Sequence, residues 1–291
     1  MWKLYLCAGI KYEIWYAKLM TLLDIFFFVL GTIIGSFLNV LIDRLSLGKN
    51  PWKGRSHCDF CKKTLQWYDL VPLFSFLLLR GCCRYCNKRL SWQYPIVELF
   101  TGLMFAFLYS FAIQSIINNQ QLTIPNSQLN ISLYPIPYTL VPLLIVFSSF
   151  LVIFVADLKY WTIPDEMVIS SGIGSLLLRL TTLTLTPEFI FSGLGASLFF
   201  LIIYLVTRGR GMGFGDVKLA LVLGLFLGFP GIVVGLYAAF LTGATVSLIL
   251  IILGKKRLKQ RIAFGPFLIL GTITSFLFGN QFIEWYMNFL K

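Results

Sequence analysis

Two groups of side chains in this sequence have the types and the spacing to do chemistry. Asp157 lies in "DLKYWTIPDE" and Asp216 in "GMGFGDVKLA", each at the edge of a long apolar run and 59 positions apart. Cys58-x2-Cys61 is followed, after 21 intervening residues, by Cys83-x2-Cys86. A carboxylate at such a position is costly to desolvate and marks a functional candidate. Two carboxylates brought within hydrogen-bond reach share a proton, so one acts as base on water while the other acts as acid toward a carbonyl. Gly211, Gly213 and Gly215 ahead of Asp216 would permit positive φ and close approach of a substrate backbone. Against this stands a bland alternative: Asp216 caps a helix, where an acid gains from the N-terminal dipole. Asp165 competes with Asp157 for the second acid, but it sits in "IPDEMV" behind Pro164, the position of a helix N-cap. Asp157 has no such structural account and is preferred. Glu98 in "YPIVELF" reads as an interfacial or packing acid. The sole histidine is His57, and no G-x-S-x-G, H-E-x-x-H or Walker pattern is present. Two acids acting without histidine point to aspartic-protease chemistry.

The four cysteines suit a different task. Two C-x2-C pairs supply four thiolates in tetrahedral geometry, close to the zinc-ribbon spacing, and leave no open position for catalysis. Zinc is therefore expected as a structural ion held by Cys58, Cys61, Cys83 and Cys86. Cys82-x3-Cys86 is an alternative to Cys83-x2-Cys86, and His57 is a further candidate ligand. A polar stretch of about 50 residues can barely build a core, and a metal supplies the missing folding energy. Reduced cysteines without metal are the plainer alternative.

These groups must be positioned by membrane helices. Of the 291 residues, 58% are apolar and 12% charged, and several uncharged runs approach the ~20 residues that span a bilayer. Alternating barrel strands are absent, which leaves an all-α polytopic protein of about eight transmembrane helices. The expected spans are about 22–42, 94–117, 138–156, 167–183, 189–206, 217–229, 231–253 and 263–283. The sixth is short. Its core "LALVLGLFLGF" rises only ~16 Å, so the bilayer thins there or the helix borders water. The net charge of +12 follows the positive-inside bias, and no nucleic-acid partner is expected. Residues 43–93 hold ten Lys/Arg against three acids, placing the cysteine region in the cytoplasm. Residues 157–165, 207–216 and 254–261 then fall on the same side, and the uncharged 118–137 loop and the 184–188 turn fall outside. Both aspartates therefore lie at the cytoplasmic membrane face. Residues 1–21 are expected to be an N-terminal extension, with Met20 a candidate start, and no cleavable signal precedes the first span.

The motifs as a set resemble the type 4 prepilin peptidases, the bacterial branch of the GxGD membrane aspartic proteases. "GSFLNVLIDRL" at 35–45 is similar to that family's opening span. "CDFC…LVPLFSFLLLRGCCRYCNKRLSWQYPIVELFTG" is similar to its cysteine domain, with Asp59 standing where proline is usual. "DLKYWTIPDE" and "GMGFGDVKL" resemble its two aspartate motifs, and "AFGPFL" at 263–268 its last-span motif. The resemblance implies catalytic Asp157 and Asp216, with Gly213 and Gly215 supporting the catalytic loop and zinc on Cys58, Cys61, Cys83 and Cys86. It implies cleavage of type IV prepilins or pseudopilins at the inner face of the bacterial cytoplasmic membrane. Methylation of the new N-terminus with S-adenosylmethionine is also implied, although no residue pattern identifies a cofactor pocket. The domains expected are a first span at 22–42, a zinc domain at 43–93 and a peptidase domain at 94–291. A transporter or assembly scaffold whose acids bind a cation is the rival reading; coupling acids more often lie near the midplane.

Overall fold

The computed structural model describes residues 2–58, 60–120, 136–182, 186–209, 211–254 and 263–289, with side chains described for 20–58, 60–114 and 138 onward within those ranges. Most of the 118–137 and 254–261 loops, part of the 184–188 turn and Asp59 lie outside the described residues, as do the side chains of residues 1–19. Among the described residues the chain is all helical apart from two isolated β-bridges. The helices are α1 (Trp2–Ser46), α2 (Phe74–Leu78), α3 (Gln93–Gln120), α4 (Ile136–Tyr160), α5 (Asp165–Thr181), α6 (Pro187–Val206), α7 (Phe214–Leu227), α8 (Gly231–Ile252) and α9 (Gly265–Phe289). A 3-10 turn at Trp67–Leu70 precedes α2.

Among the described residues, six helices are long and apolar enough to cross a membrane: α1 from Met20, α3, α4, α6, α8 and α9. The other two expected spans form helices but are shorter. α5 has 17 residues and α7 has 14, so at 1.5 Å per residue α7 rises about 21 Å against a hydrocarbon thickness of ~30 Å. Its N-terminal residue is Phe214, two positions ahead of Asp216.

The chain forms two compact units, residues 1–41 with 50–140 and residues 42–49 with 141–291. In the first, α1 crosses α3 closely. A Cβ on Gly31 or Gly35, the pair of a G-x-x-x-G run, would strike the α3 backbone at Thr101 and Glu98. Small residues let helix backbones approach where lipid offers no hydrophobic drive.

In the second unit α7 is the central element, packed against α5, α6, α8 and α9. Val217, Leu219, Ala220, Val222, Leu223 and Phe226 are buried, and Phe226 meets the rings of Phe147, Phe150 and Phe276 from α4 and α9. A helix apolar all round belongs in a core, and here it is surrounded by other helices rather than by lipid. Arg179 of α5 closes the far end of α7. Its guanidinium donates to the Phe226 carbonyl and lies 3.6 Å over the Phe189 ring, satisfying a carbonyl that the last helical turn leaves without a partner.

Candidate active site and metal centre

The cysteine region is built from one turn used twice. Cys58 N–H donates to the Lys63 carbonyl at 3.0 Å and Lys62 N–H to the Cys58 carbonyl at 2.9 Å. Twenty-five residues later, Cys83 N–H donates to Lys88 and Asn87 N–H to Cys83, both at 2.9 Å. Lys62 (φ 57) and Asn87 (φ 54) make the same left-handed step. His57 bridges Thr64 as Cys82 bridges Arg89. The turns also reach across to each other. Lys63 Nζ lies 4.2 Å from the Tyr85 ring and Lys88 Nζ lies 6.0 Å from that of Phe60, so each knuckle's lysine covers the other's aromatic residue.

This arrangement gathers the Sγ atoms of Cys58, Cys61, Cys83 and Cys86 within 4.8 Å of one another, with Cys58 and Cys86 3.8 Å apart. Four sulfurs held tetrahedrally at ~2.3 Å from zinc stand about 3.8 Å apart, so the donor set fits a metal ion. Cys82 occupies the place of His57 in the repeat; its thiol donates to the Arg80 carbonyl at 3.7 Å, outside the cluster. His57 Nδ1 faces the Arg55 carbonyl at 3.3 Å. Burial alone would raise the Cys83 thiol, but the amides of Tyr85 and Cys86 and the thiols of Cys58 and Cys86 outweigh it and hold it near 7. At Cys86 the Lys88 amide favours the thiolate, yet burial and the neighbouring sulfurs prevail and push it up to about 11. A bound dication favours the thiolate form of its ligands, which metal-free sulfurs crowded together disfavour.

The aspartates are reached by a longer route. Asp157 lies in the last turn of α4 and Asp216 in the first turn of α7, and each is only 6% exposed. Asp157 Oδ2 accepts the Gly265 N–H at 3.0 Å, from the start of α9. Asp216 Oδ2 accepts the Gly213 N–H at 3.1 Å, closing a cap over its own helix. The helix-cap alternative is therefore realised, and it occupies one of the two oxygens. The carboxylates are near enough that the Asp157 charge acts on Asp216. Ile163 packs against both Gly215, beside Asp216, and Gly265, whose amide holds Asp157. A Cβ on Gly215 would lie 3.0 Å from the Ile163 side chain, and one on Gly265 would lie 3.4 Å from it and 2.7 Å from Asp157 Oδ2.

Two expectations need correction here. None of Gly211, Gly213 and Gly215 adopts positive φ. Gly213 is extended at φ −79 and ψ 150, and what Gly215 provides is room for Ile163. Asp165 is the first residue of α5 rather than its cap, which is Pro164. Its carboxylate takes a two-pronged contact from Lys218 Nζ at 2.8 Å, which ties α5 to α7 beside the acid pair. Glu98 is buried, as a packing acid would be. Sequence reading places Gly265 and Ile163 inside the motifs "AFGPFL" and "DLKYWTIPDE" but gives neither a role in the site.

A polytopic helical membrane protein with four cysteines able to hold a metal between its first two spans, and two buried aspartates, has a definite place among known proteins. The profile of the bacterial peptidase A24 N-terminal domain matches residues 29–112, and that of the type IV leader peptidase family matches residues 144–248. The prepilin leader peptidase/N-methyltransferase of Aeromonas hydrophila is 30% identical over 90% of this chain and 93% of its own length. That of Pectobacterium carotovorum subsp. carotovorum is 31% identical over 84% and 89%. That of Bacillus subtilis (strain 168) is 29% identical over 90% and 96%. No solved structure matches significantly. The chain belongs to the prepilin leader peptidase/N-methyltransferase family.

Proposed function

We propose that this chain is an aspartic endopeptidase that removes the basic leader of type IV prepilins or pseudopilins, with Asp157 and Asp216 as its catalytic pair. The observation that carries this reading is that two buried acids 59 positions apart each accept a glycine N–H, on segments that pack against the same residue, Ile163. One carboxylate takes a proton from water as the water attacks the scissile carbonyl, and the other, protonated, donates to the carbonyl oxygen; as the C–N bond breaks, the first gives its proton to the leaving amine and the second takes its proton back from the hydroxyl. Gly265 holds Asp157 from one side, while Gly213 donates to Asp216 and Gly215 lets the start of α7 pack against Ile163.

Eight helices cross or enter the bilayer in this reading, α5 and α7 being the two short ones. The short α7 brings water near Asp216, and the leader enters from the cytoplasmic side, where the basic 43–93 region lies. Residues 22–42 form the first span, 43–93 the zinc domain, 94–291 the peptidase domain and 1–21 an extension. Zinc on Cys58, Cys61, Cys83 and Cys86 is structural, cross-linking the two knuckles. The relatives' names support a second activity, methylation of the new N-terminus from S-adenosylmethionine. Purified Asp157→Asn and Asp216→Asn chains in vesicles, assayed for leader release, test the peptidase; wild-type cleavage by either variant would remove the paired-acid mechanism. Cleaved but unmethylated product with ample S-adenosylmethionine would remove the second activity.

A further inference from the structure

Within the polar region one apolar run, "LVPLFSFLLL" at 70–79, is used by neither the cysteine cluster nor the acid pair. Ten residues are too few to span a bilayer, and a run of that length is normally a buried core helix or a segment lying at the interface. It is not core. Trp67, Leu70, Val71, Phe74, Leu77 and Leu78, carried by the 3-10 turn, the residue after it and α2, are all six exposed. Trp67, Phe74, Leu77 and Leu78 are between 68% and 80% exposed.

The opposite side is fastened. Phe76 packs on Trp92 with ring centroids 5.2 Å apart. The Leu73 N–H donates to Oε2 of Glu98 at 2.9 Å, and Glu98, only 8% exposed, is also bonded to the Ser36 side chain. Leu73 itself stands at φ 61, ψ −49, the centre of a three-residue turn closed by Phe74 N–H to the Pro72 carbonyl at 2.6 Å. That hand of turn is rare and strained, and such strain persists only where the surroundings impose it. Here the Glu98 carboxylate does so.

The depth of the segment follows from this bond. Glu98 lies five residues into α3, a membrane-spanning helix that begins at Gln93, or about 7.5 Å along its axis at 1.5 Å per residue. A backbone amide bonded there lies beside the first turns of a span, level with the exposed Ile96 and Phe100 of α3. The charge around it is complementary to a lipid surface. Residues 43–93 carry ten Lys/Arg against three acids, and the exposed Arg80 lies two residues beyond α2. An apolar stripe ending in Trp, Phe and Leu with a basic flank is the pattern of an in-plane membrane helix attracted to anionic lipid.

We propose that residues 67–79 are an in-plane membrane anchor: the apolar stripe lies among the acyl chains of the adjoining leaflet, and the basic flank lies at anionic phospholipid headgroups. Glu98 sets the depth. The inference does not depend on which reaction the aspartates perform.

The test uses the unsubstituted full-length chain in phosphatidylethanolamine vesicles containing phosphatidylglycerol with a photoactivatable acyl chain, and maps adducts by proteolysis and mass spectrometry. Residues 70–78 are expected to be labelled as heavily as the exposed Ile96, Phe100 and Leu103 of α3, with no labelling at Lys62–Thr64 on the knuckle. Labelled α3 with unlabelled 70–78 overturns the proposal. So does labelling of this stretch only by a photoactivatable prepilin leader peptide. In a second arm, Leu77→Asp combined with Leu78→Asp abolishes labelling at 70–78 while α3 stays labelled; retention of the 70–78 adducts overturns it.

Discussion

Cys58 and Cys61 are three residues apart, and their partners repeat the same turn 25 residues later. Asp157 and Asp216 come from two helices, and a third, α9, supplies the amide that orients Asp157. The knuckle keeps its ligands together through hydrogen bonds inside each turn, so its geometry is local. In the acid pair everything depends on how closely helices pack, and glycine contributes by the side chain it lacks. A chemical group can thus be fixed by short-range bonding or by long-range packing, and the two respond differently to substitution.

The sharpest break should come at the acids. Asp157→Asn or Asp216→Asn is expected to lower the kcat for prepilin cleavage by about 10²–10⁴, the usual contribution of a general acid or base, with bound metal unchanged. Next is Gly265→Ala, whose methyl would sit 2.7 Å from Asp157 Oδ2. A displacement approaching 1 Å costs about 10² in rate, so cleavage kinetics should fall by up to that factor while the chain still inserts. Cys58→Ser or Cys83→Ser reverses the pattern: elemental analysis should show the metal lost, and cleavage should suffer less than in the Gly265 variant. Equal loss of cleavage would show that the two regions are not separable. Asp165→Asn removes an exposed ion pair with Lys218, worth up to about 1 kcal/mol, and should cost no more than about fivefold in cleavage. The smallest effect is expected for Cys82→Ser, whose thiol lies outside the cluster. Metal content should be unchanged and stability should move by no more than about 0.5 kcal/mol.

The same contrast explains what could be read from residue order. The thiol cluster was legible because C-x2-C spacing is itself the geometry. Even the 25-residue repeat is visible once "CDFCKKTL" is set over "CRYCNKRL", and that alignment settles Cys83 over Cys82. Helices α3 to α9 begin and end within a few residues of their apolar runs, because apolar length and loop charge are written directly in the chain. The role of Gly265 was not legible, since a missing Cβ matters only when the atom it makes room for is known. Asp165 looked like a cap because its partner Lys218 lies 53 positions away. The run at 70–79 was hidden by its setting: surrounded by Lys and Arg, it read as part of a polar domain.

Asp157 accepts its bond from an amide 108 residues further along the chain. A ribosome delivers α4 first, then α7, and only afterwards the start of α9. During synthesis both acids are therefore present in the membrane before the pair is complete. The proposed catalytic pair gains the amide that orients Asp157 only when α9 arrives, so the order of the helices would delay its activation until the bundle that holds it has assembled.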